Sequence, residues 1–412
     1  MRTVSDTEQA YTSFEPGAAV AAGSIPLCVP ELRGNEWRYV KECLDTGWVS
    51  SVGPFVQQLE RNIASYVGAA HGVATATGTA ALHIALLVAG VKPDDEVLVS
   101  DLTFIAPANA IRYANAWPVL VDAEPVYWQM DVTRAIDFLE TQCKWTDGKL
   151  VNKTTGRRVS AIVPVHILGH PVDLNPLLEV ANKYGLAIVE DATESLGAEY
   201  HQRKTGNLAR DLPHLGCFSF NGNKIITTGG GGMLVTNDPE WAAQAKYLST
   251  QAKDDPVEYV HNEIGFNYRL SNVQAALGCA QMELLDEFVQ IKRGIAAEYA
   301  KAFVDVPGVT MMSEASWARS IFWLNTVLID EEEYGEDSRT LMKRLARRGI
   351  QARPLWQPLH RSPALAGVQS IGGEVADEIN RRALSLPSSV GLTPEQVREV
   401  IGAVCEPGRV TR

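Results

Sequence analysis

Cysteine is scarce, and its placement removes two classes of protein at the outset. Six cysteines occur in 412 residues, Cys28, Cys43, Cys143, Cys217, Cys279 and Cys405, with neither a CxxC nor a paired Cys/His spacing. This argues against a disulfide scaffold and a metal centre, and suits buried thiols in a reducing cytoplasm, the location expected here. Long apolar runs are also missing, since nothing reaches the ~18 uninterrupted residues of a spanning helix. The start, MRTVSDTEQ, has one basic residue and no long apolar stretch behind it, so no secretory signal is expected. Positive charge is in deficit. Lys and Arg total 37 against 49 Asp and Glu, a formal net charge of −12, which speaks against nucleic acid or an anionic membrane as a partner. An anionic ligand then needs a local basic pocket. Neither GxxxxGK[ST] nor a post-strand GxGxxG is present, so the glycine run at 229–232 is no nucleotide loop. It is expected to let the backbone pass close to a ligand or a neighbouring chain.

What is present is an ordinary globular composition, 46% hydrophobic and 21% charged. The length exceeds what one core usually holds, so two unequal domains are expected. Short apolar runs, GVATA at 72–76, DEVLVS at 95–100, PVLVDA at 118–123, AIVPVH at 161–166 and LAIVEDA at 186–192, alternate with helical patterns. Buried strands in that arrangement predict an α/β fold with a mainly parallel sheet covered on both faces. Functional residues then gather at the carboxyl ends of the strands. The reading divides the chain into an N-terminal arm (1–25), a large domain (26–270) and a smaller C-terminal α/β domain (271–412). Within the large domain, residues 141–158 are polar, carry Asp147-Gly148, and predict an inserted hairpin or loop. Residues 272–300 predict a long amphipathic helix, and Phe322-Trp323-Leu324 with Val327-Leu328-Ile329 a strand.

Three short segments could carry chemistry. In Thr77-Gly78-Thr79-Ala80-Ala81-Leu82 a strand runs through a Gly-Thr turn into a helix, whose free amides and dipole favour a phosphate. A Thr that merely caps a helix has the same appearance. Asp191 closes an apolar strand, where a carboxylate could hold a protonated pyridine nitrogen or simply cap a helix. Lys224 follows Phe218-Ser219-Phe220-Asn221-Gly222-Asn223 and precedes the glycine run. A lysine in such surroundings loses solvation of its ammonium, and its free amine can attack an aldehyde. Surface exposure is the commoner fate of a lysine.

Taken in order, the motifs Gly47-Trp48-Val49-Ser50-Ser51-Val52-Gly53, Thr77 to Leu82, Thr103-Phe104-Ile105-Ala106, Glu190-Asp191-Ala192, Ser219 to Lys224 and Gly265-Phe266-Asn267-Tyr268-Arg269 resemble the DegT/StrS-type nucleotide-sugar aminotransferases. The resemblance implies a fold-type I pyridoxal 5'-phosphate (PLP) enzyme, with a mainly parallel seven-stranded sheet in the large domain. It also implies that Lys224 binds the cofactor covalently, that Asp191 pairs with its pyridine nitrogen, and that Phe104 stacks on its ring. Gly78, Thr79 and Ser219 would hold the phosphate, Asn267 would reach it from the partner of a homodimer, and Glu194 would stand near the 3'-oxygen. Substrate contacts are expected at Ser51, His166, Lys253, Arg269, Arg353 and His360. The family often has Glu where this chain has Gly230. L-Glutamate is the implied donor, and a UDP-4-keto-6-deoxy-N-acetylhexosamine, as on routes to bacillosamine or legionaminic acid, is the implied acceptor. A GDP- or dTDP-linked sugar, an aminocyclitol, or a noncatalytic PLP-binding regulator are the alternatives.

Overall fold

The computed structural model describes residues 23–209, 213–255 and 257–406. Residues 1–22 of the expected arm lie outside these. Ile25, the arm's last residue, is 2% exposed, and its backbone pairs with Gly349 and Gln351.

The strands are β1 (His71–Thr75), β2 (Glu96–Ser100), β3 (Trp117–Val121), β4 (Cys143–Thr146), β5 (Lys149–Asn152), β6 (Arg158–Val163), β7 (Ala187–Asp191), β8 (Glu199–Tyr200), β9 (Arg203–Lys204), β10 (His214–Ser219), β11 (Gly232–Thr236), β12 (Val309–Met311), β13 (Ala318–Arg319), β14 (Asn325–Ile329), β15 (Gln369–Ile371) and β16 (Ala383–Leu386). The main sheet runs β1-β11-β10-β7-β6-β2-β3-β15, and only β11 is antiparallel to its neighbours. Its first seven strands are the expected mainly parallel set. The eighth, β15, comes from the C-terminal third of the chain and was not foreseen. Successive residues of a strand point to opposite faces, and both faces are buried. Val97 and Val99 enter one apolar cluster while Leu98 enters the other, and Val189 and Ile188 divide in the same way.

Residues 141–158 do form a hairpin, β4 and β5, which continues antiparallel onto β6. Asp147 and Gly148 both have positive φ, 52° and 73°, as a two-residue turn matching strand twist requires.

Two expectations in the C-terminal part are corrected. The long helix is broken at Glu283-Leu284 into α8 (Asn272–Met282) and α9 (Leu285–Phe303). Phe322-Trp323-Leu324 is not strand, because Phe322 takes φ +48° and β14 begins only at Asn325. The change of core falls along α9. Leu285, Phe288 and Val289 join the cluster of the large sheet, whereas Ile295, Tyr299 and Phe303 pack with Val327, Leu384 and Ile25 around the β12-β14-β16 sheet. Among the described residues no helix is long and apolar enough to cross a membrane.

α8 packs on α1 (Glu36–Thr46) and α2 (Pro54–Val67), and its first residue ties down the loop between them. Buried Asn272 accepts the N–H of Phe55 (2.9 Å) and donates to the Trp48 carbonyl (2.8 Å). A Cβ on Gly53 would stand 2.3 Å from the Asn272 side chain, so only glycine fits there. Asn272→Ala leaves the buried Phe55 N–H without a partner, at about 1–3 kcal/mol, and frees the half-buried Trp48 carbonyl. The expected loss, roughly 2–4 kcal/mol in all, is read as a lowered thermal or denaturant midpoint.

Candidate active site

β1, β2, β7 and β10 point the same way, and the turns that follow them meet at one edge of the sheet. Thr77-Gly78-Thr79, Thr103-Phe104, Asp191, Thr193, Glu194, Ser219, Asn221, Asn223 and Lys224 line a single cavity of about 330 Å³, within the size range of small-molecule sites. Of the expected cofactor residues, the fold therefore brings together Gly78, Thr79, Phe104, Asp191, Glu194, Ser219 and Lys224. Asn267 stands apart, exposed on a second hollow of about 330 Å³ with Ser51, Lys253 and Arg269.

The helix α3 (Gly78–Val88) starts at the cavity. Thr77 is its N-cap, with Oγ1 accepting the Ala80 N–H at 3.0 Å. The amides of Gly78 and Thr79, at the first two helical positions, have no intrahelical acceptor and are available to an anion. A Cβ on Gly78 would lie 2.8 Å from that of Ser219, so glycine is what lets the helix start stand against β10. Within the glycine run, Cβ atoms on Gly231 and Gly232 would meet Thr228 Oγ1 at 2.2 Å and the Thr77 carbonyl at 2.4 Å. The close approach is to this chain's own backbone and side chains. Gly230 is different, for it lines the cavity and an added Cβ would meet nothing nearer than Gln274 Nε2 at 4.0 Å.

Asp191 is 2% exposed at the end of β7, with Oδ1 accepting the Thr193 N–H at 3.1 Å. Burial pushes its carboxyl above the ordinary range, and the Thr193 hydrogen bonds and the charge of Lys224 offset this only in part. Glu194 is raised for the same reason, with the Lys224 charge the largest opposing influence. Its Oε2 accepts the Leu168 N–H (2.9 Å), and its Oε1 lies 3.3 Å from Lys224 Nζ. Lys224 is thus not in purely aromatic surroundings as its neighbours in sequence suggest. It stands between a carboxylate and the face of Trp323, whose ring centre is 4.1 Å from Nζ.

Trp323, Trp356, Thr193, Asn221 and Asn223 also line the cavity and were missed. Thr193, Asn221 and Asn223 lie beside motif residues and could have been included. The tryptophans arrive from about 100 and 130 residues further on, with no local signal.

The structure places several of the expected substrate contacts on partners within the chain or away from the cavity. His166 is fully buried, with Nε2 on Glu190 (3.0 Å) and Nδ1 accepting the Val172 N–H (3.0 Å), so neither ring nitrogen remains for a ligand. Arg269 spends Nη1 on Glu60 (2.6 Å) and the Ala74 carbonyl (3.3 Å). His360 is held between Asp101 (2.6 Å) and Asp377 (3.3 Å). Arg353 is exposed, pairs through its backbone with Ser385, and does not line the cavity.

Residues 30–405 match the DegT/DnrJ/EryC1/StrS aminotransferase family. The chain belongs to this family. GDP-perosamine synthase from Caulobacter vibrioides is 38% identical, covering 92% of this chain and 97% of the relative. EpsN from Bacillus subtilis (strain 168) is also 38% identical, over 92% of this chain and 94% of its own. The crystal structure of DesV from S. venezuelae superimposes with a TM-score of 0.79 at 31% identity, covering 90% and 93% of the two chains.

This family member is a PLP-dependent aminotransferase, and its residues fit the cofactor. The unpartnered amides at the start of α3 suit a phosphate, the buried Asp191 suits a cationic ring nitrogen, and Lys224 places an amine in the same cavity. A carboxyl raised by burial is penalised when ionised, so the penalty on folding is full above its folded pKa and fades as pH falls through it. Asp191→Asn removes that penalty. The cofactor-free variant is expected to melt higher than the parent at neutral pH, by a margin that shrinks toward about pH 4. It should also bind PLP at least about tenfold more weakly in an equilibrium titration.

Proposed function

We propose that the enzyme moves an amino group from L-glutamate to C4 of a nucleotide-linked 4-keto-6-deoxy sugar, working as a homodimer. The observation that carries this reading is that Lys224 is the sole cation among the described residues lining a cavity that also holds buried Asp191 and the start of α3.

When bound, PLP supplies an electron sink that lets a proton leave the carbon bearing the amino group. In this reading the Asp191 carboxylate keeps the ring nitrogen cationic through a charge-assisted hydrogen bond. The Gly78 and Thr79 amides and the Ser219 hydroxyl would hold the phosphate, Phe104 would cover the ring, and Glu194 would stand near the 3'-oxygen. Lys224, when its amine is free, takes the proton from one carbon and returns it to the other.

The dimer is supported by apolar surface. Phe104 is 55% exposed at the cavity, and Val257, Tyr259 and Ile264, close together in sequence beside the second hollow's Lys253 and Asn267, are 68–86% exposed, apolar surface that a second copy would cover. In a homodimer Ser51, Lys253 and Asn267 complete the partner's site, with Asn267 reaching the phosphate. Lys253 has no carboxylate partner among the described residues and rests on the Tyr259 ring, so it is available to a diphosphate. The relatives named GDP-perosamine synthase favour a GDP-linked acceptor over the UDP-linked one suggested by the sequence motifs.

Visible absorbance of the cofactor-loaded protein tests the reading. L-Glutamate is expected to bleach it, a GDP-linked 4-keto-6-deoxy sugar to restore it faster than a UDP-linked one, and Lys224→Ala to lack it. Faster recovery with the UDP sugar would reverse the nucleotide assignment. Bleaching that no nucleotide sugar reverses would overturn the acceptor class, and absorbance unaffected by Lys224→Ala would overturn the lysine assignment.

A further inference from the structure

The segment Ser320-Ile321-Phe322-Trp323 passes beside Lys224 in a backbone shape that its residues do not favour. Phe322, bulky and with a Cβ, sits at φ +48°, a region that L residues other than Asn and Asp rarely enter. Two consecutive cations of α9 hold it there. Arg293 Nη1 donates to the Ser320 carbonyl (2.5 Å) and pairs with Glu314, and its guanidinium lies 5.7 Å from the centre of the Phe322 ring.

Lys292 is the stranger of the two. It is 1% exposed and has no carboxylate partner among the described residues. Its Nζ donates instead to the carbonyls of Trp323 (2.9 Å) and Ser388 (2.6 Å) and lies 3.9 Å from Cys28 Sγ. Burial lowers its pKa. An apolar residue would occupy this space without the desolvation cost of an ammonium, so packing does not account for a lysine. What the ammonium does is fix the Trp323 carbonyl. Trp323 is held at three further points: its N–H donates to the Leu168 carbonyl (2.9 Å), its Nε1 to the Asn223 carbonyl (2.8 Å), and its ring faces Lys224 Nζ. Two contacts therefore separate Lys292 from the amine of Lys224.

We infer that Lys292 is a positioning residue for amino transfer and acts on Lys224 through Trp323. The inference rests on Lys224 being the lysine that binds the cofactor. Its test is a pH titration of the visible absorbance of bound PLP in the parent, Lys292→Met, Trp323→Leu and the double variant, with thermal midpoints recorded alongside. Loss of an aromatic face from a cationic nitrogen lowers the pH midpoint by about half a unit to one and a half units. Both single variants are expected to shift that way, and the double variant no further than Trp323→Leu alone. A Lys292→Met protein that melts lower but titrates like the parent would make the lysine merely structural and overturn the inference. Additive shifts would overturn it too, because Lys292 would then act by another route. If Lys292→Met does not fold, Trp323→Leu decides, and an unmoved midpoint there removes the route. Absorbance that survives Lys224→Ala is a separate outcome, which overturns the cofactor-lysine assignment itself.

Discussion

A carboxylate taken out of water must find a counter-charge or hydrogen bonds, and residues 190–194 bury three of them. Each solves the problem differently, and the site is built around those solutions. Glu190 is fully enclosed and receives His166 Nε2 (3.0 Å), His214 Nε2 (2.8 Å) and the amides of Gly206 and Leu208. Burial alone would raise its carboxyl, but the hydrogen bonds from the two histidines hold it well below the ordinary range. It is the satisfied member, and it braces the end of β7 from the face opposite to Asp191. Asp191 and Glu194 are left only partly satisfied, and both are raised by burial. Buried groups left wanting a positive partner reduce stability and prepare a site for a cation.

The parallel strands and the ends that matter were legible in the sequence, because short near-continuous apolar runs fit strands buried on both faces, with polar residues only where they leave the core. Asp191, Lys224 and the start of α3 were legible as well, since each sits within a few residues of its own signal. What could not be read was the pairing of charges distant in sequence. His166, Arg269 and His360 look like free polar groups in one dimension, yet each is committed to a carboxylate, on Glu190, Glu60 and Asp101 in turn. The same limit hid Trp323. Its run of apolar residues has strand composition, but Arg293 and Lys292 bind the backbone of this segment and leave Phe322 in a left-handed conformation that no propensity suggests.

The chain's excess of acid raises a last question, how a strongly anionic cofactor and a nucleotide sugar are held at all. Inside the cavity the answer is not cationic side chains, for Lys224 is the sole one among the described lining residues. A phosphate at the start of α3 would be met by amides and a hydroxyl, neutral donors whose strength comes from alignment with the helix dipole. That arrangement leaves the lysine uncommitted to the phosphate, with Glu194 and Trp323 as its partners instead. A cation placed beside the phosphate would strengthen its binding but add a second positive charge near the amine that must give up a proton. In the proposed reading, using backbone dipoles for the anion and reserving the ammonium for chemistry separates the two tasks. Lys253, which has no carboxylate partner among the described residues, stands on the second hollow, where in the proposed dimer it meets the substrate's diphosphate from the other subunit, away from the proton transfers.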